Sequence, residues 1–256
     1  MTGDYSAVTE TWGLPASPEQ LAMQYFRYRM AAELAPGGSV LEVGCGSGMG
    51  LPYLQSKSRL AVGGDYTLAL LKEARSHLPD APLVRLDAQH LPFRDGAFDA
   101  VLMLEMIYYV ADQAAAFAEC HRVLRPGGTL MVCVPNRDRR DFNPSPFSTR
   151  YPNAAELAAL FAAGGFDAHV YGAFAVEATS TRDRVLGPIR HLAVRYSLIP
   201  GSMRAKSMIK RVLYGKLPVL GAVHEGMAQI DGTVALEPLS GSDARHKNLY
   251  GVGVCR

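Results

Sequence analysis

Short apolar runs alternate with longer segments of helical spacing along the first two thirds of the chain, and this alternation predicts most of the fold. Residues 39–43 (SVLEV) read as a buried strand that ends in glycines, with a helix over 49–55. A second strand over 59–64 is closed by Asp65, and 68–77 follows with apolar residues at helical spacing. Residues 82–86 give a third strand. Residues 98–104 (FDAVLML) give a fourth, a nearly continuous apolar run of the kind found in a sheet covered on both faces. An alanine-rich helix over 111–124 is broken by Arg125, Pro126, Gly127 and Gly128, and 129–134 (TLMVCV) supplies a fifth strand. Residues 153–163 form another helix with Asn153 as its cap, followed by Gly164, Gly165 and a strand from Phe166 to about Tyr171. Ahead of the first strand, Pro18 and Glu19 open a helix.

Strand and helix alternation implies parallel pairing through right-handed crossovers, hence an α/β fold with a doubly wound, mostly parallel sheet of seven strands. The seventh is the last apolar alternation, 248–254 (NLYGVGV). Ligands in such sheets bind at the carboxyl ends of the strands. The expected organisation is a leading helical lid over 1–35, a core over 36–174, an insertion over 175–245 acting as a substrate lid, and the terminal strand of the core over 246–256.

Composition fits this picture without refining it. The chain has 256 residues, 48% hydrophobic and 20% charged, enough apolar material for one substantial core. Four scattered cysteines, Cys45, Cys120, Cys133 and Cys255, have no short metal-ligand spacing, so reduced thiols and no metal are expected. Residues 1–10 lack the basic and apolar regions of a signal peptide, and no stretch approaches the roughly 18 apolar residues of a membrane span. The expected location is the cytoplasm.

Charge changes the picture only when resolved along the chain. Lys and Arg number 26 against 24 acids, but residues 182–216 hold nine basic residues against the single acid Asp183. That stretch has a net charge of +8 and leaves about −6 for the remainder. Met203, Met208, Ile209, Val212 and Leu213 interleave with its charges, so an amphipathic helix is expected there. It would be a solvated cap, a contact for an acidic acceptor, or a peripheral contact with an anionic membrane. With few stacking aromatics and no RNA module, nucleic acid is not an expected partner.

The chemistry begins at Gly44, Cys45, Gly46, Ser47 and Gly48, which follow the first strand at once and open the next helix. Glycines there let the backbone turn tightly and approach a ligand. A dinucleotide fingerprint would need a small residue at position 49, where this chain has Met49. Glu42 just upstream would repel a pyrophosphate and suits a cationic or hydroxylated ligand. Asp65 is placed to accept from two ribose hydroxyls, as in both NAD and S-adenosylmethionine sites, and Asp87 to accept from an adenine amine. Three acids at successive strand ends fit one adenosyl ligand with no phosphate.

These segments resemble the class I S-adenosylmethionine-dependent methyltransferases, over roughly residues 29–171, and most closely the small-molecule branch typified by ubiquinone and menaquinone methyltransferases. The resemblance rests on VLEVGCGSG at 40–48, GGDYT at 63–67, LDAQHLPFRDGAFD at 86–99 and HRVLRPGGTLMV at 121–132. It implies that Glu42 and the backbone of Gly44, Cys45, Gly46 and Gly48 hold the methionine moiety. Asp65, with Tyr66 beside it, would hold the ribose, and Asp87 with the Ala88 backbone the adenine. Leu104 and Glu105 would line the sulfonium side. The implied cofactor is S-adenosyl-L-methionine, its product S-adenosyl-L-homocysteine, and the implied reaction is in-line methyl transfer to an oxygen, nitrogen or carbon of a small molecule. A general base is optional, and the candidates are Glu105, Tyr108, Tyr109, His90 and His224. The alternatives are a regulatory protein that binds the cofactor without turnover and, with less support, an RNA methyltransferase.

Overall fold

The structure, a computed structural model, describes residues 4–176, 217–228 and 234–256. The basic stretch 182–216 and most of the expected insertion lie outside the described residues. The sheet contains β1 (Ser39–Val43), β2 (Leu60–Asp65), β3 (Leu83–Arg85), β4 (Phe98–Leu104), β5 (Leu124–Pro135), β6 (Phe166–Ala175), β7 (Glu237–Pro238) and β8 (His246–Cys255). Their order is β3-β2-β1-β4-β5-β8-β6-β7. The first five strands are parallel; β8 runs antiparallel between β5 and β6. The seven expected strands are all present. The two-residue β7 is an eighth, paired with Tyr171 and Gly172 at the edge and too short to leave a pattern in the sequence.

Among the described residues five helices cover the sheet: α1 (Pro18–Leu34), α2 (Leu51–Lys57), α3 (Leu68–His77), α4 (Gln113–Val123) and α5 (Ala154–Ala163). Side-chain alternation along the central strands divides the core. Leu41, Val43, Val101 and Met103 face one layer with Phe117 and Phe161 of α4 and α5. Val40, Ala100, Leu102 and Leu104 face the other, with Tyr25 and Phe26 of α1 and Leu54 of α2. Local signals set the helix ends. Ser17 accepts from the Gln20 N–H with Pro18 in the first turn, and Asn153 with Glu156 closes a reciprocal capping box.

The Arg-Pro-Gly-Gly segment reads as a break and is built as a bulge. Phe98 pairs with Leu124 and Ala100 with Thr129, so residues 125–128 are looped out of one continuous strand, with Gly127 at φ 77°. At the other end of β5, Asn136 donates to the carbonyls of Asp243 and His246 at 2.6 and 2.9 Å. This buried amide fixes the turn that delivers β8 and, two residues into it, Asn248.

Candidate active site

β1, β2 and β4 end side by side, and the loops leaving them form one wall of a cavity. Beyond Val43 the backbone turns through Gly44, Gly46 and Gly48 at φ 79°, 57° and 77°, a region that strains residues with a Cβ. The Gly44 and Cys45 amides both donate to the Gly64 carbonyl at 2.7 and 2.9 Å, which ties the loop to the end of β2. Asp65 completes the tie. Its Oδ2 accepts from the Gly46 N–H at 2.8 Å and its Oδ1 from the Thr67 N–H at 2.7 Å. Burial raises the Asp65 carboxyl above its ordinary range, opposed by these amides. The carboxylate is also part of the cavity lining.

The cavity has a volume of about 930 Å³, at the upper end of small-molecule sites and large enough for two reactants side by side. Gly44, Cys45, Gly46, Asp65, Tyr66, Asp87, Ala88 and Leu104 line it, as do Glu105, Tyr108 and Tyr109. Gly48 and Glu42 do not. Glu42 is 1% exposed and lies behind the wall, its Oε1 accepting from the Tyr28 hydroxyl at 2.6 Å, and Tyr28 in turn faces the cavity. His90 and His224 are exposed and outside the cavity, His90 in the turn after Asp87 and His224 beside the Glu225 carbonyl. Burial pushes the Cys45 thiol well up, which fits a packing residue rather than a nucleophile.

Past the end of β4 the character of the wall changes. Glu105 is a non-glycine residue at φ 58°. Its amide still bonds to the Cys133 carbonyl at 2.8 Å, so the kink begins inside the sheet. Its Oε1 meets Arg27 Nη1 at 3.3 Å and accepts from Asn248 Nδ2 at 3.0 Å; its Oε2 accepts from the Tyr108 hydroxyl at 3.3 Å. Burial raises the Glu105 carboxyl, and Arg27 opposes it. Tyr108 stacks on Tyr151 with centroids 4.2 Å apart, while Tyr109 packs against Tyr5 and its hydroxyl donates to Ser145 Oγ at 2.9 Å. No cluster of three or more metal-ligating side chains occurs among the described residues.

Residues 41–132 match the family model described as a methyltransferase domain. That range spans the glycine loop, Asp65, Asp87 and Glu105. A probable S-adenosylmethionine-dependent methyltransferase of Mycolicibacterium smegmatis is 38% identical to the chain over 144 residues, 55% of this chain and 56% of that protein. A demethylmenaquinone methyltransferase of Mycolicibacterium gilvum is 31% identical over 150 residues, 59% of this chain and 65% of its own length. The chain thus matches a little over half the length of such relatives. A methyltransferase of Thermotoga maritima shares the fold at a TM-score of 0.58 and 18% identity, covering 92% of this chain and 91% of that one.

The matched segment supplies only part of the cavity. Gln24, Arg27 and Tyr28 come from α1, Asn248 from β8, and Tyr5, Val8, Thr9 and Glu10 from an irregular segment ahead of α1. This segment is stapled down by the Trp12 indole N–H, which donates to the Ser47 carbonyl at 2.8 Å. Helix α1 packs on the sheet with its apolar side, and both it and the segment before it line the cavity. Tyr5, Trp12 and Tyr28 stand out in the sequence as aromatics of the leading segment; Val8, Thr9, Glu10, Gln24, Arg27 and Asn248 do not. A usable signal was present in α1, where positions 20, 23, 24, 27 and 28 share one face; the polar members of that stripe turn toward the cavity.

Proposed function

We propose that the chain is an S-adenosylmethionine-dependent methyltransferase that acts on a small-molecule acceptor. One observation carries this reading. The Asp65 carboxylate, bound to the Gly46 amide, opens onto a cavity that runs on past Asp87 to Glu105, and it does so within the segment that matches the methyltransferase family model. Bound S-adenosylmethionine would supply a methyl group on a sulfonium that is already strongly electrophilic.

The residues fit an adenosyl ligand. Asp65 would accept from the ribose hydroxyls, Tyr66 would flank the ribose, and Asp87 with the Ala88 amide would take the adenine edge. The Gly44–Cys45–Gly46 backbone would lie against the methionine chain, which requires the absence of a side chain. A Cβ on Gly44 would already fall 2.6 Å from Met106 Cβ. Leu104 would form the apolar wall by the sulfur. Glu105 would hold the proton that a hydroxyl or amine acceptor gives up, with Arg27 and Tyr108 fixing its carboxylate. Positioning of this kind contributes up to roughly 7–11 kcal/mol. The names of the demethylmenaquinone relatives support a small organic acceptor.

Isothermal calorimetry tests the reading. S-adenosylmethionine and S-adenosylhomocysteine should bind with one-to-one stoichiometry and NAD should not bind. NAD binding without S-adenosylhomocysteine binding would overturn the proposal.

A further inference from the structure

Four side chains that line the cavity carry a buried polar atom with no hydrogen bond; Arg139 Nε lies against the Asp141 carboxylate at 3.5 Å, and the other three, on Gln24, Arg27 and Asn248, face no such counter-charge. Gln24 and Asn248 are 3% and 7% exposed, both line the cavity, and their Oε1 and Oδ1 accept no hydrogen bond. Arg27 Nε, on a third lining residue, donates none. Each unmet buried polar group costs about 1–3 kcal/mol, so three on neighbouring side chains are an expensive arrangement for a wall with no ligand. They are neighbours by construction. Arg27 and Asn248 converge on one atom, Glu105 Oε1, and Gln24 lies one turn before Arg27 on the same face of α1. The ionised Glu105 can only accept, so the Asn248 amide must turn its NH₂ toward it and leave its oxygen free.

Resting on the methyl-transfer reading above, we propose that Gln24, Arg27 and Asn248 form the subsite that recognises a hydroxyl group of the acceptor. The orphan set is mixed: two acceptors and one donor. A ligand carboxylate would meet only Arg27 Nε and would face Glu105. A ligand ammonium would meet only the two amide oxygens and would face Arg27. A hydroxyl donates and accepts at once, carries no charge, and so answers both kinds of orphan beside the Arg27–Glu105 pair. Recognition by unpaired buried groups is also the selective kind, because a ligand lacking the hydroxyl leaves them unmet. Both elements, α1 and β8, lie outside residues 41–132.

The test is a ligand-observed NMR titration of the full chain saturated with S-adenosylhomocysteine, using phenol against anisole and cyclohexanol against its methyl ether. The two pairs separate an aromatic from an aliphatic source of the hydroxyl. The expected result is that at least one alcohol binds about tenfold more tightly than its ether. Gln24→Met and Asn248→Leu, on separate elements, should each erase that preference while S-adenosylhomocysteine affinity stays within about twofold. Equal binding of alcohol and ether in both pairs, no binding of any probe, or a preference that survives both substitutions would overturn the subsite. Failure to bind S-adenosylhomocysteine would instead remove the methyl-transfer reading itself.

Discussion

Asn248 donates its side-chain N–H to Glu105 Oε1 at 3.0 Å, across 143 positions of sequence. Glu105 is also the partner of Arg27, and both members of that ion pair are largely buried. Removing one member of a buried pair leaves an uncompensated charge and costs about 3–5 kcal/mol. Glu105→Ala should therefore lower stability by about 3 kcal/mol in urea denaturation, the low end because the cavity admits water to the pair. Glu105→Gln keeps an acceptor oxygen and should bind S-adenosylhomocysteine normally while losing methyl transfer.

Asp65→Ala removes a carboxylate that organises the glycine loop and would bind the ribose. Hydrogen bonds to a charged group are worth about 1.5–3 kcal/mol each, so calorimetry should show at least a tenfold loss of S-adenosylhomocysteine affinity. Retention of wild-type affinity would exclude Asp65 from the site.

Stability should fall between pH 4.5 and 7 because of Glu42. Burial beside Tyr28 pushes its carboxyl up to about 7 from an ordinary 4.5. The folded state therefore holds this proton more tightly than the unfolded chain. Its contribution is complete below pH 4.5 and is lost as the pH rises through 7, a difference of about 3 kcal/mol. Chemical denaturation at pH 5 and pH 8 should show the drop, and Glu42→Gln should flatten it.

Trp12→Phe keeps the stacking of this ring position on His77 but removes the N–H that bonds to Ser47. Stability should fall by about 1 kcal/mol. The larger effect should be kinetic: stopped-flow release of S-adenosylhomocysteine should quicken as the covering segment loosens.

The parts of this molecule that could be read from sequence are those whose cause is local. Residues 68–77 and 98–104 were delimited correctly because α3 buries residues at helical spacing and β4 is a nearly unbroken apolar run buried on both faces. Asn153 announced its helix through the capping box. The glycine loop and Asp65 were visible because a tight turn and a strand-end carboxylate leave a compact signature. Asn248 leaves none, and Gln24 and Arg27 leave only the polar stripe along one face of α1. Each is an unremarkable polar residue on its own element, and only the packing of α1 over the end of β4 and the antiparallel entry of β8 bring them to one oxygen of Glu105. The 3-10 turn Ile107–Tyr109, which points Tyr108 back at Glu105, was equally invisible because three residues make no period. Glu42 shows the reverse case, a motif residue that the fold turns away from the cavity and toward Tyr28.

The place of β8 between β5 and β6 also has a consequence for the order in which the protein is made. The wall built by the loops after β1, β2 and β4 is encoded by residue 109, long before ribosomes reach Asn248. Among the described residues β6 joins the parallel strands through β8, so that junction waits while some seventy intervening residues are translated. Late pairing of that separation is slow to form, because the loop-closure entropy precedes the contacts that offset it. A nascent chain should thus acquire half of its cavity early and the hydroxyl-selecting half in the same event that seals the sheet.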